Sequence, residues 1–279
     1  MNEKPPKLWG RDTPWRQGRV LQAATVAALN LRHNIDQAAA LVVVVSHDCD
    51  LANDNLDAEP DVEVIVGRLV EAANGNFSWG KAPRTLHLSM TRDGGLVTVE
   101  LVATSKRLIS KRELAQFEPD AGFDLDGQGL AVLRSWLGAR YNRSAFPDPF
   151  VNRMAATKLD AKLAKTLEPH GALISVVYFD VDGGRIVDRE EDSPYALSIV
   201  LVYPAGDDPE ASADAADEVA NAVQRMCEQR LASRMDIVLK NCLAISEEDL
   251  PVSRARVLLQ WRFEYMTLRA NDHPGPVQT

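Results

Sequence analysis

The chain has 279 residues, 46% of them hydrophobic and 25% charged, with a formal net charge of −9; that balance is globular and excludes a disordered chain. No apolar run reaches the roughly 18–20 residues that span a bilayer, and the opening Met-Asn-Glu-Lys-Pro-Pro-Lys lacks the apolar core of a signal peptide, so a cytoplasmic protein with no membrane partner is expected. Cys49, Cys227 and Cys242 are far apart and show no C-x-x-C spacing, which argues against a disulfide framework or a structural zinc.

Residues 1–17 are rich in Pro and charge and carry Trp9 and Trp15. They read as an arm that packs its tryptophans on the body. Residues 18–22 open as a strand, although 23–31 has helical composition. Residues 40–45, Ala-Leu-Val-Val-Val-Val, are the clearest strand, apolar without alternation and therefore expected to be buried on both faces. Ser46-His47-Asp48-Cys49-Asp50 follows it directly. Residues 62–70 form a second strand, and 85–90 alternate as a half-buried one. Arg92-Asp93-Gly94-Gly95 is a hairpin turn by composition, leading into 96–102, and a short element occupies 105–113. About five short strands in this span suggest a small barrel or compact sheet.

A linker at 118–127 precedes a helix over 128–141, with Leu130, Leu133, Trp136, Leu137 and Tyr141 on one face. Pro147 and Pro149 start the next helix, in which Phe150, Met154, Leu159, Leu163 and Leu167 recur, and His170-Gly171 ends it. Beyond it come strands at 173–179 and 195–203, an Ala-rich helix over 211–231 with Val219, Val223, Met226 and Leu231 inward, and strands at 237–239 and 257–259. The expected class is α+β: a small N-terminal barrel with its basic arm (1–117), a linker and two-helix connector (118–171), and a C-terminal antiparallel sheet with one packed helix (172–279).

The segment 46–50 packs a hydroxyl, an imidazole, a thiol and two carboxylates together. Cys49 lies between Asp48 and Asp50, whose charge opposes the thiolate a nucleophile requires. His47, Asp48 and Asp50 offer nitrogen and oxygen ligands, but on extended backbone adjacent side chains face opposite ways, so Asp48 and Asp50 are the pair that can share an ion. With Glu63 they suit Mg²⁺ or Mn²⁺ in a metal-assisted hydrolase. The alternative is that Ser46 and the aspartates cap the strand end. His87, on the alternating strand, is either a base or structural. P-loop, dinucleotide, H-E-x-x-H and G-x-S-x-G signatures are absent.

Basic residues form three groups: Lys4, Lys7, Arg11, Arg16 and Arg19 in the arm; Lys106, Arg107, Lys111 and Arg112; and Arg134, Arg140 and Arg143 among Trp136, Tyr141 and Phe146. Arg16, Arg19 and the two later groups are candidate phosphate contacts. Trp9 or Trp15 would stack on an unpaired RNA base. The acidic run from Asp48 to Glu63 repels phosphate.

Residues 17–116 resemble the PemK/MazF group of SH3-like barrels, bacterial toxins that are ribonucleases. Gly18-Arg19-Val20 precedes Val42-Val43-Val44-Val45-Ser46-His47-Asp48; Val64-Ile65-Val66, Leu86-His87-Leu88 and Gly95–Leu101 follow, and the series closes through Lys106-Arg107-Leu108-Ile109-Ser110-Lys111. The resemblance implies an SH3-like barrel, RNA or a partner protein as ligand, and a toxin–antitoxin or phage-defence setting. The chain departs from the family at two places: Ala39-Ala40 stands where an Arg-Pro pair is usual, and Gly67-Arg68 where a Thr or Ser is usual. Cleaving RNA through its 2′-OH requires a base and a group that stabilises the phosphorane. His47 or His87 would supply the first, and Arg68 or Arg19 the second. The expected catalytic set is therefore His47, Asp48, Asp50, Arg68 and His87, and the loss of the family motifs favours a barrel that binds without cutting. A metal-assisted hydrolase and a non-catalytic dimeric adaptor are the alternatives.

Overall fold

The computed structural model describes residues 8–31, 40–139, 141, 146–185, 187–190, 192–232, 234 and 236–262. Its elements in chain order are α1 (Ala23–Ala28), β1 (Ala40–Val44), α2 (Asp48–Ala52), β2 (Asp61–Val70), β3 (Thr85–Arg92), β4 (Gly95–Val102), β5 (Lys106–Ser110), α3 (Lys111–Leu114), β6 (Phe123–Asp124), α4 (Gly127–Ala139), α5 (Asp148–Thr157), α6 (Leu159–Leu167), β7 (Val176–Val181), β8 (Tyr195–Tyr203), α7 (Pro209–Leu231), β9 (Ile237–Ser246), α8 (Val252–Ala255) and β10 (Leu259–Gln260). The class is α+β, with a curled N-terminal sheet and a second sheet carrying packed helices. No helix among the described residues is long and apolar enough to cross a membrane.

The valine run of β1 ends the order of named strands in the first sheet but is bonded along both edges. Residues 18–21 bond to one of its edges (Gly18 N to Val44 O 2.8 Å, Leu21 N to Val42 O 2.9 Å), and β2 pairs antiparallel along the other. The two faces of β1 are covered by separate cores. Val42 and Val44 join Trp9, Trp15, Leu51 and Ile109 in one core. Leu41, Val43 and Val45 join Leu86, Leu88, Met90, Leu133 and Trp136 in another. This accounts for the absence of alternation, since a strand with two buried faces has no polar side.

Strand β2 is long enough to take two partners on its outer edge. Its first half pairs with β5 and its last residues with β4, which curls the sheet. At the change of partner stands Gly67, where a Cβ would run into the Glu100 carbonyl of β4. Helix α4 then closes the second core with Leu133 and Trp136, its indole Nε1 donating to Ala82 O at 2.9 Å. Tyr141, expected on that buried face, lies past the helix end and is exposed.

The helix expected through Phe150 and Leu167 is two helices. Met154 and Leu159 are five residues apart, one more than a single helical stripe allows. Lys158 takes up the slip in a left-handed conformation (φ 53°) between α5 and α6. Both helices pack into the C-terminal core with α7 and the inner face of the second sheet, so that face carries more than the one helix expected.

The second sheet has the order β10-β7-β8-β9. Its expected antiparallel arrangement needs correction: β7 runs antiparallel to β8, but β8 and β9 are parallel. A parallel neighbour requires a crossover that returns the chain to the strand's start. The 23-residue α7, about 35 Å long at 1.5 Å per residue, covers that distance.

The two sheets meet where residues 74–82 lie against 168–174. Gly75 and Gly171 cross so closely that a Cβ on either would strike the other's backbone. Lys81, buried, donates from Nζ to Gly171 O (2.9 Å) and Ile174 O (2.5 Å). Burial pulls its ammonium down to about 7.

Candidate functional site

The segment after β1 is not extended. Ser46 closes the strand, its Oγ accepting the Glu63 N–H at 2.8 Å. His47 then caps α2, Nδ1 accepting the Cys49 N–H at 3.2 Å. Asp48 and Asp50 thus fall in the first turn of a helix, where carboxylates are favoured by the exposed N–H groups. The helical turn separates the two aspartates. Asp48 faces Gln17 and Arg134: its Oδ1 accepts the Gln17 N–H (2.8 Å), and its Oδ2 lies 3.5 Å from Arg134 Nη2. Gln17 links the group, since its Oε1 accepts from Arg134 Nε (2.7 Å) and its Nε2 donates to Val45 O (2.8 Å). Asp50 is exposed and lines a groove with His47 and Glu63. Among the described residues no three His, Cys, Asp or Glu side chains converge as metal ligands, so the shared ion expected on Asp48 and Asp50 has no ligand set there.

The basic groups are also redistributed. Lys111, expected on the surface as a phosphate contact, is fully buried. Its Nζ donates to Asp50 O (2.6 Å) and Asn53 O (3.0 Å), carbonyls at the end of α2, and it lies 5.7 Å from the Trp9 ring centre. Burial lowers its affinity for a proton, and Glu59, Asp50 and Asp61 oppose that shift. Lys106 is paired with Glu63 at 2.9 Å. Arg16 donates to Thr13 O and Trp15 O. Arg19 is half-buried, while Arg107 and Arg112 remain exposed. Arg140 and Arg143 lie outside the described residues. Trp15 is completely buried, and Trp9 is nearly so, with Nε1 on Leu51 O at 2.8 Å. Neither ring offers a free face to a base.

Arg68 and His87 do come together, through a residue that sequence reasoning passed over. In the register of β2, β4 and β3, Arg68 lies opposite Glu100 and Glu100 opposite His87. Arg68 Nε bonds one Glu100 oxygen at 2.7 Å, and His87 Nε2 the other at 3.1 Å. His87 Nδ1 accepts the Asn74 N–H (2.9 Å), which leaves the ring proton on Nε2, facing the carboxylate. Its side chain is 5% exposed. The His87 bond first, then Arg68, hold Glu100 down at about 2 against the opposing effect of burial. An imidazole bonded at both nitrogens has no free lone pair for a substrate proton. The five expected catalytic residues therefore fall into two places: His47, Asp48 and Asp50 at the start of α2, where His47 caps the helix and Asp48 bonds Gln17, and Arg68 and His87 on either side of Glu100.

What remains open near the valine strand is a groove of about 510 Å³, lined by Gln17, Ser46, His47, Asp50, Glu59, Asp61, Glu63 and Lys106, with Leu108, Leu137 and Tyr141. Four carboxylates face one ammonium, itself paired. Leu108 and Tyr141 stand 63% and 83% exposed at the same groove. A phosphate backbone meets net repulsion here, whereas a cationic chain with apolar side chains meets attraction and two surfaces to cover.

Searches against protein-family models, curated proteins and solved structures return no match to this chain.

Proposed function

We propose that residues 17–116 form a PemK/MazF-like, SH3-like barrel kept as a binding module without nuclease activity, and that its groove takes a basic segment of a partner protein. The resemblance rests on the motifs quoted above. It is supported by the pairing of the Gly18-Arg19-Val20 stretch on β1 and by the return of the Lys106–Ser110 strand onto β2. The toxin–antitoxin or phage-defence setting follows from that resemblance. The observation that carries the binding reading is the groove itself, acidic and flanked by exposed Leu108 and Tyr141. Non-cleavage is supported by the closed His87–Glu100–Arg68 bonding, which leaves His87 no free ring nitrogen.

Fluorescence anisotropy with a labelled peptide of alternating Arg and Leu, and with a single-stranded RNA oligomer, tests this on the full chain. The peptide binds with an affinity that falls with salt, and Asp61→Asn with Glu63→Gln weakens it by about tenfold. RNA binds more weakly and is not cut. RNA binding that exceeds peptide binding, or cleavage lost in His87→Ala, overturns the proposal.

A further inference from the structure

A second hollow, of about 260 Å³, lies at the opposite end of α4 from the groove and is not used by that reading. It forms at a gap in the outer edge of β3. The β3–β4 hairpin closes on Asp93-Gly94, both at positive φ, with Arg92 opposite Gly95. The pairing alternates from there, so His87, Ser89 and Thr91 turn their backbone groups outward. His87 N bonds Phe77 O at 2.9 Å, and Thr91 is opposite Asp124 of β6. Between them β6 does not reach Ser89, and the hollow opens there.

Its lining sets an aromatic ring and two carboxylates against apolar side chains. Trp79 lines it from a left-handed backbone (φ 59°), a conformation that costs free energy for a bulky residue and persists only where surroundings enforce it. Here they do: the indole Nε1 reaches Ala172 O at 3.3 Å, and the next residue is tied by Arg262 Nη1 to Gly80 O at 2.9 Å. The ring is fixed at the cavity wall by this edge contact. Asp124 and Asp126 are exposed at the rim. Asp126 Oδ1 accepts the Gly129 N–H at 2.7 Å, which leaves its second oxygen, and Asp124 makes no ion pair among the described residues. Among the described residues no lysine or arginine lines the hollow, and His87 is bonded at both nitrogens.

We propose that this cavity binds a small organic cation, a guanidinium or amine on a short apolar body, between the Trp79 ring and the carboxylates of Asp124 and Asp126. The aromatic face and the two carboxylates attract the cationic head. The outward carbonyl of Ser89 is a further acceptor, and Met90 and Val132 line the space for the apolar body. Anions are repelled, and a bare metal ion lacks a converging ligand set among the described residues.

Isothermal titration of the full chain tests this with agmatine as the free guanidinium, Gly-Arg-Gly as the same group on a peptide, adenosine as a neutral planar molecule, and inorganic phosphate. Agmatine binds saturably at one site, more weakly as salt is raised, and the double variant Asp124→Asn with Asp126→Asn loses roughly tenfold or more. Asn at 126 still caps α4, so the thermal transition stays in place; Asp124→Asn alone, which removes no cap, serves if it does not. Binding of Gly-Arg-Gly without agmatine supports the guanidinium site and assigns its source to a protein side chain. Absence of saturable binding by both cations, binding unchanged in Asp124→Asn and the double variant, or adenosine or phosphate binding as tightly as agmatine overturns the proposal.

Discussion

The two sheets treat their polar groups in opposite ways. In the C-terminal part, charge is turned inward to hold the chain itself. Arg153 donates to the carbonyls of Ser193, Asp236, Arg189 and Glu190 and lies 4.9 Å from the Tyr195 ring centre. Arg189 bonds Asp182. Beneath them Phe146, Phe150, Phe179 and Trp261 stack and meet edge to face, with centroids 4.6–6.3 Å apart. In the N-terminal part, aliphatic side chains make most of the core, and carboxylates remain at two hollows. The C-terminal part thus commits its arginines to its own loops, around a hollow of about 380 Å³ beside Asp182 and Arg189, whereas the two acidic hollows lie at the curled sheet and α4. A binding site requires polar groups that the fold leaves available, and the carboxylates at the two N-terminal hollows meet that condition.

The largest effect expected from breaking this contrast is in the aromatic core. Phe150→Ala removes a completely buried ring and lowers stability by about 3–5 kcal/mol, read from urea unfolding, while peptide affinity at the groove is unchanged in the remaining folded protein. A parallel loss of peptide affinity in the folded state would show that the two regions are not separable.

The pH dependence sharpens the comparison, because the two regions contribute opposite slopes. Lys81 titrates at about 7 when folded and near 10.5 when unfolded. Between these values the unfolded chain binds more protons, so stability rises with pH, by up to about 1.4 kcal/mol per pH unit. Cys227 and Cys242, buried in the other core, are pushed up to about 12 from 9. Above pH 9 the folded chain holds those protons longer, so stability falls. Chemical denaturation across pH 6–10 should therefore show a rise from about 7 and a turn near 9. Lys81→Met removes the rising limb, and a rise that persists in that variant would refute its assignment.

Glu100→Gln is expected to cost about 1–3 kcal/mol near neutral pH, since His87 and Arg68 lose their shared carboxylate. With a folded value of about 2 against 4.5, the native contribution is complete above pH 4.5 and is lost as pH falls toward 2. Acid unfolding of the variant is correspondingly less steep. An acid limb identical to that of the parent would discount the pairing. The smallest effect is at the Asp48–Arg134 contact, 3.5 Å and partly exposed: Asp48→Asn changes stability by at most about 1 kcal/mol, measurable in a thermal melt. A larger loss would give the Gln17 network a structural weight that its exposure does not suggest.

Much of the secondary structure was legible from local pattern. The strands at 62–70, 85–90, 96–102 and 195–203 fall within or at β2, β3, β4 and β8, and the Ala-rich helix at 211–231 falls within α7. The groove was partly legible too, since the segment 46–50, Glu63 and Lys106 all stand on or beside it. The parallel partner of β8 was not, because a strand's direction relative to its neighbour is set by the path of the connection and leaves no mark on its own alternation.

By itself the amino-acid sequence determined which faces are buried: the valine run of β1 follows from an unbroken apolar stretch and the Leu133–Trp136 face of α4 from helical spacing, both of them local properties. Tertiary structure alone decided which charges are available. Lys111 reads as a surface cation until carbonyls 58–61 residues away close over it. Arg68 and His87 read as independent until strand register places Glu100 between them. Asp48 and Asp50 read as a pair until a helical turn, capped by His47, separates them. Hydrophobic burial depends on a residue's own pattern, whereas the state of a charge depends on the partner that the fold brings to it.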